Sequence, residues 1–176
     1  IGPSICTGLH ILFKGFEQVV QQVHWQSLQG NDLLRYCKLS ANPVGRLLLH
    51  LYGIHDETSL AHSDAICSAL QLINFWQDLS EDIPRGRYYL PQDQAAKLSD
   101  AELLAFLCQH AHQLMMSGAP LVHRVPGRAG WELRLVVQGG LRILEKVRQL
   151  GPQALHTRPR LRPWDLPLMF WRSLWM

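Results

Sequence analysis

The stretch LQLINFWQDLSEDIPRGRYYLP, residues 70–91, places Asn74, Asp78 and Asp82 four residues apart. Residues at this spacing share one face of an α-helix, so the three side chains form a polar stripe on an otherwise apolar segment. Two adjacent carboxylates are costly to desolvate unless a cation neutralises them. Mg²⁺ suits this role because it binds carboxylate oxygens and shares its other positions with water and substrate phosphates. The stretch therefore predicts a Mg²⁺ site with Asp78 and Asp82 as ligands.

Two arginines follow the polar stripe. Arg85 and Arg87 carry planar guanidinium groups whose donors match phosphate oxygens. Together with the two carboxylates they predict a magnesium–diphosphate site. The alternatives are ordinary surface acids at a helix end and solvated loop arginines.

Two motifs resemble one known family. Residues 70–91 resemble the second aspartate-rich motif of the squalene/phytoene synthase family, and YCKLSANPVGR, residues 36–46, resembles its Tyr-containing helix. The variants SANPVGR and NFWQD look most like the bacterial hydroxysqualene synthase branch. Gln77 stands where presqualene diphosphate and phytoene synthases usually carry Arg, although it could equally face another helix. The resemblance runs from about residue 28 to the C-terminus, so the chain is similar to the C-terminal portion of such a protein.

The resemblance implies a role for each residue in these motifs. Asp78 and Asp82 match the Mg²⁺ ligands, and Tyr36 matches a catalytic tyrosine whose hydroxyl lies near the reacting centre. The alternative for Tyr36 is a core tyrosine, and Arg46 is either a phosphate ligand or a surface charge. The implied substrate-binding residues are Arg46, Gln71, Asn74, Arg85, Arg87 and Tyr89.

The resemblance also implies an activity. Enzymes of this family ionise allylic or cyclopropylcarbinyl diphosphates with the help of Mg²⁺. In the hydroxysqualene branch, presqualene diphosphate ionises, rearranges and captures water to give hydroxysqualene for hopanoid synthesis. Farnesyl diphosphate is the other candidate substrate.

The first acidic motif of the family has no counterpart here. The acids before Asp78 are Glu17, Asp32, Asp56, Glu57 and Asp64, and none is arranged as Asp-x-x-x-Asp. We therefore expect a partial isoprenoid-synthase bundle that could be inactive alone. The alternative function is that of a non-catalytic helical remnant that binds membrane, lipid or a partner protein.

Composition favours one folded domain. The 176 residues are 47% hydrophobic and 18% charged, which predicts a single globular unit over residues 1–176. Four scattered cysteines fit buried, reduced thiols, and no apolar run approaches the length of a membrane span. These features predict a cytoplasmic protein, at most peripheral to the inner membrane.

Residues 152–176 form a basic tail that is rich in proline and aromatic residues. The expected structure is a solvated connector followed by a short helix that packs its aromatic side chains on the core. The alternative is contact with anionic lipid headgroups, and no nucleic-acid partner is expected. The arginine and aromatic residues of this tail are Arg158, Arg160, Arg162, Trp164, Phe170, Trp171, Arg172 and Trp175.

Helical spacing recurs along the whole chain, and alternating strand patterns are absent. This pattern predicts an all-α, mostly antiparallel bundle. We expect a kink or break near Pro43, a capping box at Ser99 and Glu102, and close helix packing at Gly139 and Gly140. The predicted helices cover about residues 8–23, 31–51, 58–82, 99–116 and 131–150.

Overall fold

A computed structural model describes residues 30–176, and this part of the chain contains helices and no strand. The all-α prediction is confirmed there, whereas the helix predicted at 8–23 lies outside the described residues. The α-helices are α1 (Gly30–Ser40), α2 (Asn42–Leu51), α3 (Glu57–Gln77), α4 (Leu79–Asp82), α5 (Gln92–Ala95), α6 (Asp100–Gly118), α7 (Gly127–Leu150) and α8 (Asp165–Leu174). Short 3-10 helices cover Ile83–Arg85, Ala119–His123 and Gly151–Leu155.

Helix α3 is the centre of the described fold. It packs against α1, α2, α6 and α7, and its buried side chains include Ile66, Leu72, Ile73 and Trp76. Apolar residues on most of its faces predict this central position, because each face can contact a different neighbour. The prediction is confirmed, with one correction: the polar stripe lies on an open face, where Asn74 is exposed.

The helix starts follow capping chemistry. On α6 the predicted capping box is present, with the Ser99 amide donating to Glu102 Oε2 at 3.0 Å and the Glu102 amide donating to Ser99 Oγ at 3.4 Å. Helix α3 begins slightly earlier than predicted, because the Asp56 carboxylate caps it by accepting from the Ser59 amide at 3.0 Å.

The predicted break near Pro43 is confirmed. Helix α1 ends at Ser40, Ala41 separates the two helices, and Pro43 lies in the first turn of α2, where its missing N–H costs no helix bond. Gly45 then lets α2 approach α3 closely, since a Cβ at this position would collide with the side chains of Ser63 and Cys67.

Close packing at the glycine pair of α7 is also confirmed, chiefly at Gly140. A Cβ on Gly140 would lie 2.8 Å from Met115 Cε and 3.1 Å from Leu70 Cδ2, so the missing side chain lets α7 contact both α6 and α3. This packing brings α7 alongside the half of α3 that carries the polar stripe.

Helix α8 is attached to α7 by a buried carboxylate. Asp165 accepts from Arg142 Nε at 2.8 Å, from Lys146 Nζ at 2.7 Å and from the Arg162 amide at 2.7 Å. The final short helix was predicted, but the prediction that its aromatic side chains pack on the core is wrong. Trp171 and Trp175 are 59% and 77% exposed. The buried side chains of α8 are instead those of Asp165, Met169 and Ser173.

Candidate functional site

The acidic stretch lies at a break in the central helix. Helix α3 ends at Gln77, and Asp78 has φ −98° and ψ 7° before the chain resumes as α4. The Asp78 amide donates to Asn74 O at 3.0 Å, while Asp78 O accepts from the Glu81 and Asp82 amides at 2.9 Å each. The predicted single helix to residue 82 is therefore two helices, with Asp78 at the junction.

An arginine from the far end of the chain covers this junction. Arg158 Nε donates to Asp78 Oδ1 at 2.6 Å, and its Nη1 lies 3.6 Å from Glu81 Oε1. Arg160 approaches the same Glu81 oxygen at 3.7 Å. A hydrogen bond from Gln77 Nε2 to Pro159 O, 2.8 Å long, holds this segment against α3. Gln77 thus faces the connector before α8.

A tight turn brings a second arginine to Asp82. Gly86 has φ 74°, a left-handed conformation that glycine adopts without strain. The chain then reverses, so that the Arg87 amide donates to Asp82 O at 3.0 Å. Arg87 Nη1 lies 3.9 Å from Asp82 Oδ1, a distance that leaves this carboxylate only loosely paired.

The electrostatics of this helix end favour a further cation. Negative side chains at a helix C-terminus are repelled by the partial negative charge of the helix dipole. Burial and the neighbouring Asp78 raise the pKa of the Asp82 carboxyl, against the opposing effects of Arg87 and Arg85. The protein therefore holds negative charge where it is unfavourable, and the guanidinium of Arg158 already acts as one counter-ion.

An aromatic cluster flanks the acids. The ring of Phe75 stacks on Tyr89 at 4.0 Å between centroids and meets Tyr36 edge-on at 5.5 Å. Burial raises the pKa of Tyr36, and burial raises the pKa of Tyr89 to about 12, so both hydroxyls keep their protons at neutral pH. The cluster gives the site an apolar wall with protonated phenols.

A cleft of about 300 Å³ opens on the other side of the polar stripe, between α3 and α7. Its polar lining consists of Asn74, Gln77, Arg158 and Arg160. The remaining wall is apolar and comprises Leu70, Ile73, Val136, Gly139, Gly140, Ile143 and Leu161. A cleft that is basic at one end and apolar along its walls suits an amphiphile with an anionic head.

Most of the predicted site residues fall in one neighbourhood. Asp78, Asp82, Arg87, Tyr36 and Tyr89 are linked to one another by direct contacts and charge interactions. Arg85 is exposed and close enough for its charge to act on Asp82. Gln71 and Asn74 precede Asp78 on α3, where Gln71 is half-buried.

The structure does not bring Arg46 to this group. It forms a two-point ion pair with Asp64, with Nε to Oδ1 at 2.9 Å and Nη2 to Oδ2 at 2.6 Å. Asp64 lies fourteen residues before Asp78, and the rise of the helix separates the two by about 21 Å.

The donors fit a Mg²⁺ ion that is shared with a substrate. Within residues 30–176, no group of three or more His, Cys, Asp or Glu side chains could hold a metal alone. Asp78 and Asp82 provide two hard oxygen donors, which is the usual protein contribution when phosphates complete the coordination. The site thus matches a metal that binds together with a diphosphate.

Arg158 is the main residue of the site that the sequence motifs do not predict. It lies eighty residues beyond Asp78, and its only signal in the sequence is the clustering of arginines in the tail. The stacking of Tyr89 on Phe75 was also absent from the predictions.

Comparison with known proteins identifies the same family that the motifs resemble. The model of the squalene/phytoene synthase family matches residues 7–165. The chain is 31% identical to the hydroxysqualene synthase of Rhodopseudomonas palustris over 86% of this chain and 56% of the relative. It is 30% identical to the 15-cis-phytoene synthase of Enterobacter agglomerans over 82% of this chain and 53% of the relative.

A solved structure agrees with these sequence relatives. The squalene synthase HpnC from Alicyclobacillus acidocaldarius superposes with a TM-score of 0.73 at 31% identity, covering 82% of this chain and 60% of that one. The chain spans about half the length of these two sequence relatives. All three relatives are named as synthases, which does not favour the alternative of a non-catalytic remnant.

Proposed function

The chain belongs to the squalene/phytoene synthase family, and on that premise we propose that it carries the metal-and-diphosphate half of a prenyl diphosphate enzyme. The substrate in this proposal is presqualene diphosphate and the product is hydroxysqualene. The observation that carries the proposal is the open acidic helix end, where Asp78 and Asp82 lie between a basic, apolar-walled cleft and an aromatic cluster.

Each part of the site has a task in this reaction. In this proposal Arg158 and Arg87 bind the diphosphate, since guanidinium groups match its oxygens and both lie beside the acidic pair. In this proposal the apolar wall between α3 and α7 accepts the hydrocarbon. Asp78 and Asp82 would hold Mg²⁺, which, when bound, neutralises the charge of the leaving diphosphate.

The proposed reaction needs water as its one co-reactant. The carbon–oxygen bond to the diphosphate breaks and its electron pair leaves with the diphosphate oxygen. The rearranged cation then forms a bond to a water oxygen, and the extra proton of that water passes to the released diphosphate.

Product analysis by mass spectrometry tests this proposal. The chain is incubated with Mg²⁺ and presqualene diphosphate, and separately with farnesyl diphosphate, while the hydroxysqualene synthase of Rhodopseudomonas palustris checks substrate and assay. We expect hydroxysqualene from presqualene diphosphate and its loss in Asp78→Asn. Glu132→Gln is the matched control, because Glu132 is an exposed acid whose partner is Arg128 on the same helix.

Product formation and pyrophosphate binding distinguish catalysis by the chain from ligand binding at the site. If the relative forms product and this chain forms none, this chain does not perform the proposed reaction by itself. Binding of inorganic pyrophosphate in the presence of Mg²⁺, measured by calorimetry, would then still test the site. Absence of both product and pyrophosphate binding would overturn the proposal.

A further inference from the structure

Helix α8 has an outward face without a single polar side chain. Its three polar residues, Asp165, Arg172 and Ser173, are engaged with α7 or with the helix backbone. The outward residues are Leu166, Pro167, Phe170, Trp171, Leu174 and Trp175, all exposed. We call these six residues the C-terminal apolar face.

This polarity is the reverse of that of an ordinary surface helix. A helix that borders water normally directs its apolar residues inward and its charges outward. In α8 the charged Asp165 is buried, while Phe170 and Trp175 are 55% and 77% exposed. Contiguous apolar surface of this kind marks a contact with another apolar body.

The charge around this face is positive. Between residues 156 and 176 the sole acid is Asp165, which is neutralised by Arg142 and Lys146. Arg162 is exposed, with its guanidinium 5.0 Å from the ring centroid of Trp164. Exposed arginines beside exposed tryptophans are the combination found where proteins meet anionic lipid headgroups.

We propose that α8 docks on an anionic lipid surface, lying in the headgroup layer with the C-terminal apolar face inserted. Ten helical residues extend about 15 Å, which is half the thickness of the roughly 30 Å apolar core of a bilayer. Helix α8 is therefore too short to cross a bilayer but can lie in its headgroup layer. Among the described residues, no helix has the length and hydropathy that crossing a membrane requires. A second copy of the chain fits this face less well, since docking two copies would bring like-charged arginines together.

Lipid binding by α8 is independent of the proposed reaction, because it needs neither substrate nor metal. Purified chain is floated with phosphatidylcholine vesicles, with or without phosphatidylglycerol. We expect binding to the anionic vesicles that weakens with salt. The triple variant Phe170→Ser/Trp171→Ser/Trp175→Ser should lower the partition coefficient at least about tenfold, because it removes the inserted surface.

Two further variants make the test specific. Leu48→Ser/Leu51→Ser alters exposed apolar residues on α2 and should leave vesicle binding unchanged. Arg162→Glu should weaken binding to anionic vesicles by about tenfold and leave binding to neutral vesicles nearly unaltered. Circular dichroism checks that each variant remains helical.

The result that overturns the proposal is equal vesicle binding by the triple variant and by the α2 control, or no binding of the unaltered chain to anionic vesicles. Light scattering after size-exclusion chromatography tests whether a second copy of the chain covers this face instead. A dimer that the triple variant abolishes, without vesicle binding by the unaltered chain, would assign the face to a second copy.

Discussion

Asp165 and Asp78 both lie at helix ends and both contact an arginine, yet their surroundings differ in every other respect. The side chain of Asp165 is fully buried and has three donors, Arg142, Lys146 and the Arg162 amide. The side chain of Asp78 is 31% exposed, with Arg158 as its close partner. Asp82 and Glu81 add negative charge beside it. One carboxylate is fully neutralised and the other is not.

The helix dipole sharpens this difference. Asp165 lies in the first turn of α8, where a negative charge is stabilised, whereas Asp78 and Asp82 follow the C-terminus of α3, where it is destabilised. The hydrogen bond from Lys146 holds the pKa of Asp165 well below its usual range, while burial raises the pKa of Asp82. The comparison indicates that Asp165 stabilises the fold, whereas the negative charge of Asp82 costs stability.

The largest expected effect is on thermal stability. Asp165→Ala should lower Tm by roughly 10 °C, because it leaves buried cations without a partner. Asp78→Ala should lower Tm by less than about 2 °C, since exposed ion pairs contribute little. Differential scanning calorimetry measures both variants. Equal losses would show that the two carboxylates have the same structural role.

The pH dependence of stability gives the same contrast. Because the pKa of Asp165 is lower in the folded state, its contribution is complete above the unfolded carboxyl pKa of about 4 and is lost as pH falls below that value. Asp165→Asn should therefore flatten the acid side of the Tm profile between about pH 2 and pH 4. An unchanged acid slope in this variant would contradict the assignment.

The next effect is on ligand affinity. Arg158→Ala should weaken binding of pyrophosphate in the presence of Mg²⁺ by about tenfold, because a charge-assisted hydrogen bond is lost. Arg128→Ala is the matched control, as Arg128 is an exposed arginine on α7 that pairs with Glu132. Titration calorimetry gives both constants. If the two variants bind equally well, Arg158 serves only to neutralise Asp78.

A smaller effect of opposite sign is expected at Asp82. Its raised pKa means that the folded state loses stability as pH rises through the carboxyl range above about 4. Asp82→Asn should raise Tm at neutral pH by about 1–3 °C after allowance for solvent screening, and should weaken metal binding. A fall in Tm would instead make Asp82 a stabilising residue.

The smallest effect is expected at Arg46. Its ion pair with Asp64 lies far along α3 from Asp78, so Arg46→Ala should change pyrophosphate affinity by less than about twofold. The same calorimetric titration decides this point. A tenfold loss would restore Arg46 as a phosphate ligand.

Much of the fold could be predicted from local sequence. The capping box at Ser99, the break before Pro43 and the close packing at Gly140 each depend on one residue type in a defined backbone setting. The start of α3 was placed slightly late, because Thr58 and Ser59 are also acceptable caps and only the structure shows that Asp56 is used.

The rest required tertiary information. Arg158 and Asp78 are eighty residues apart, and no spacing rule connects positions at that distance. The sequence predicts buried aromatic residues on α8, because an apolar helix face has the same sequence pattern whether it packs on a core or contacts another apolar phase. The sequence spacing predicts the two acids of the site, whereas only the folded structure shows that Arg158 is their counter-ion.

The central claim is that Asp78 and Asp82 form a metal and diphosphate site. Its most direct test is Mn²⁺ binding, followed by electron paramagnetic resonance of the free ion with and without inorganic pyrophosphate. The account predicts that pyrophosphate tightens Mn²⁺ binding and that Asp78→Asn/Asp82→Asn abolishes this effect, whereas Glu132→Gln retains it. Equal Mn²⁺ binding by all three proteins, unaffected by pyrophosphate, would contradict the claim.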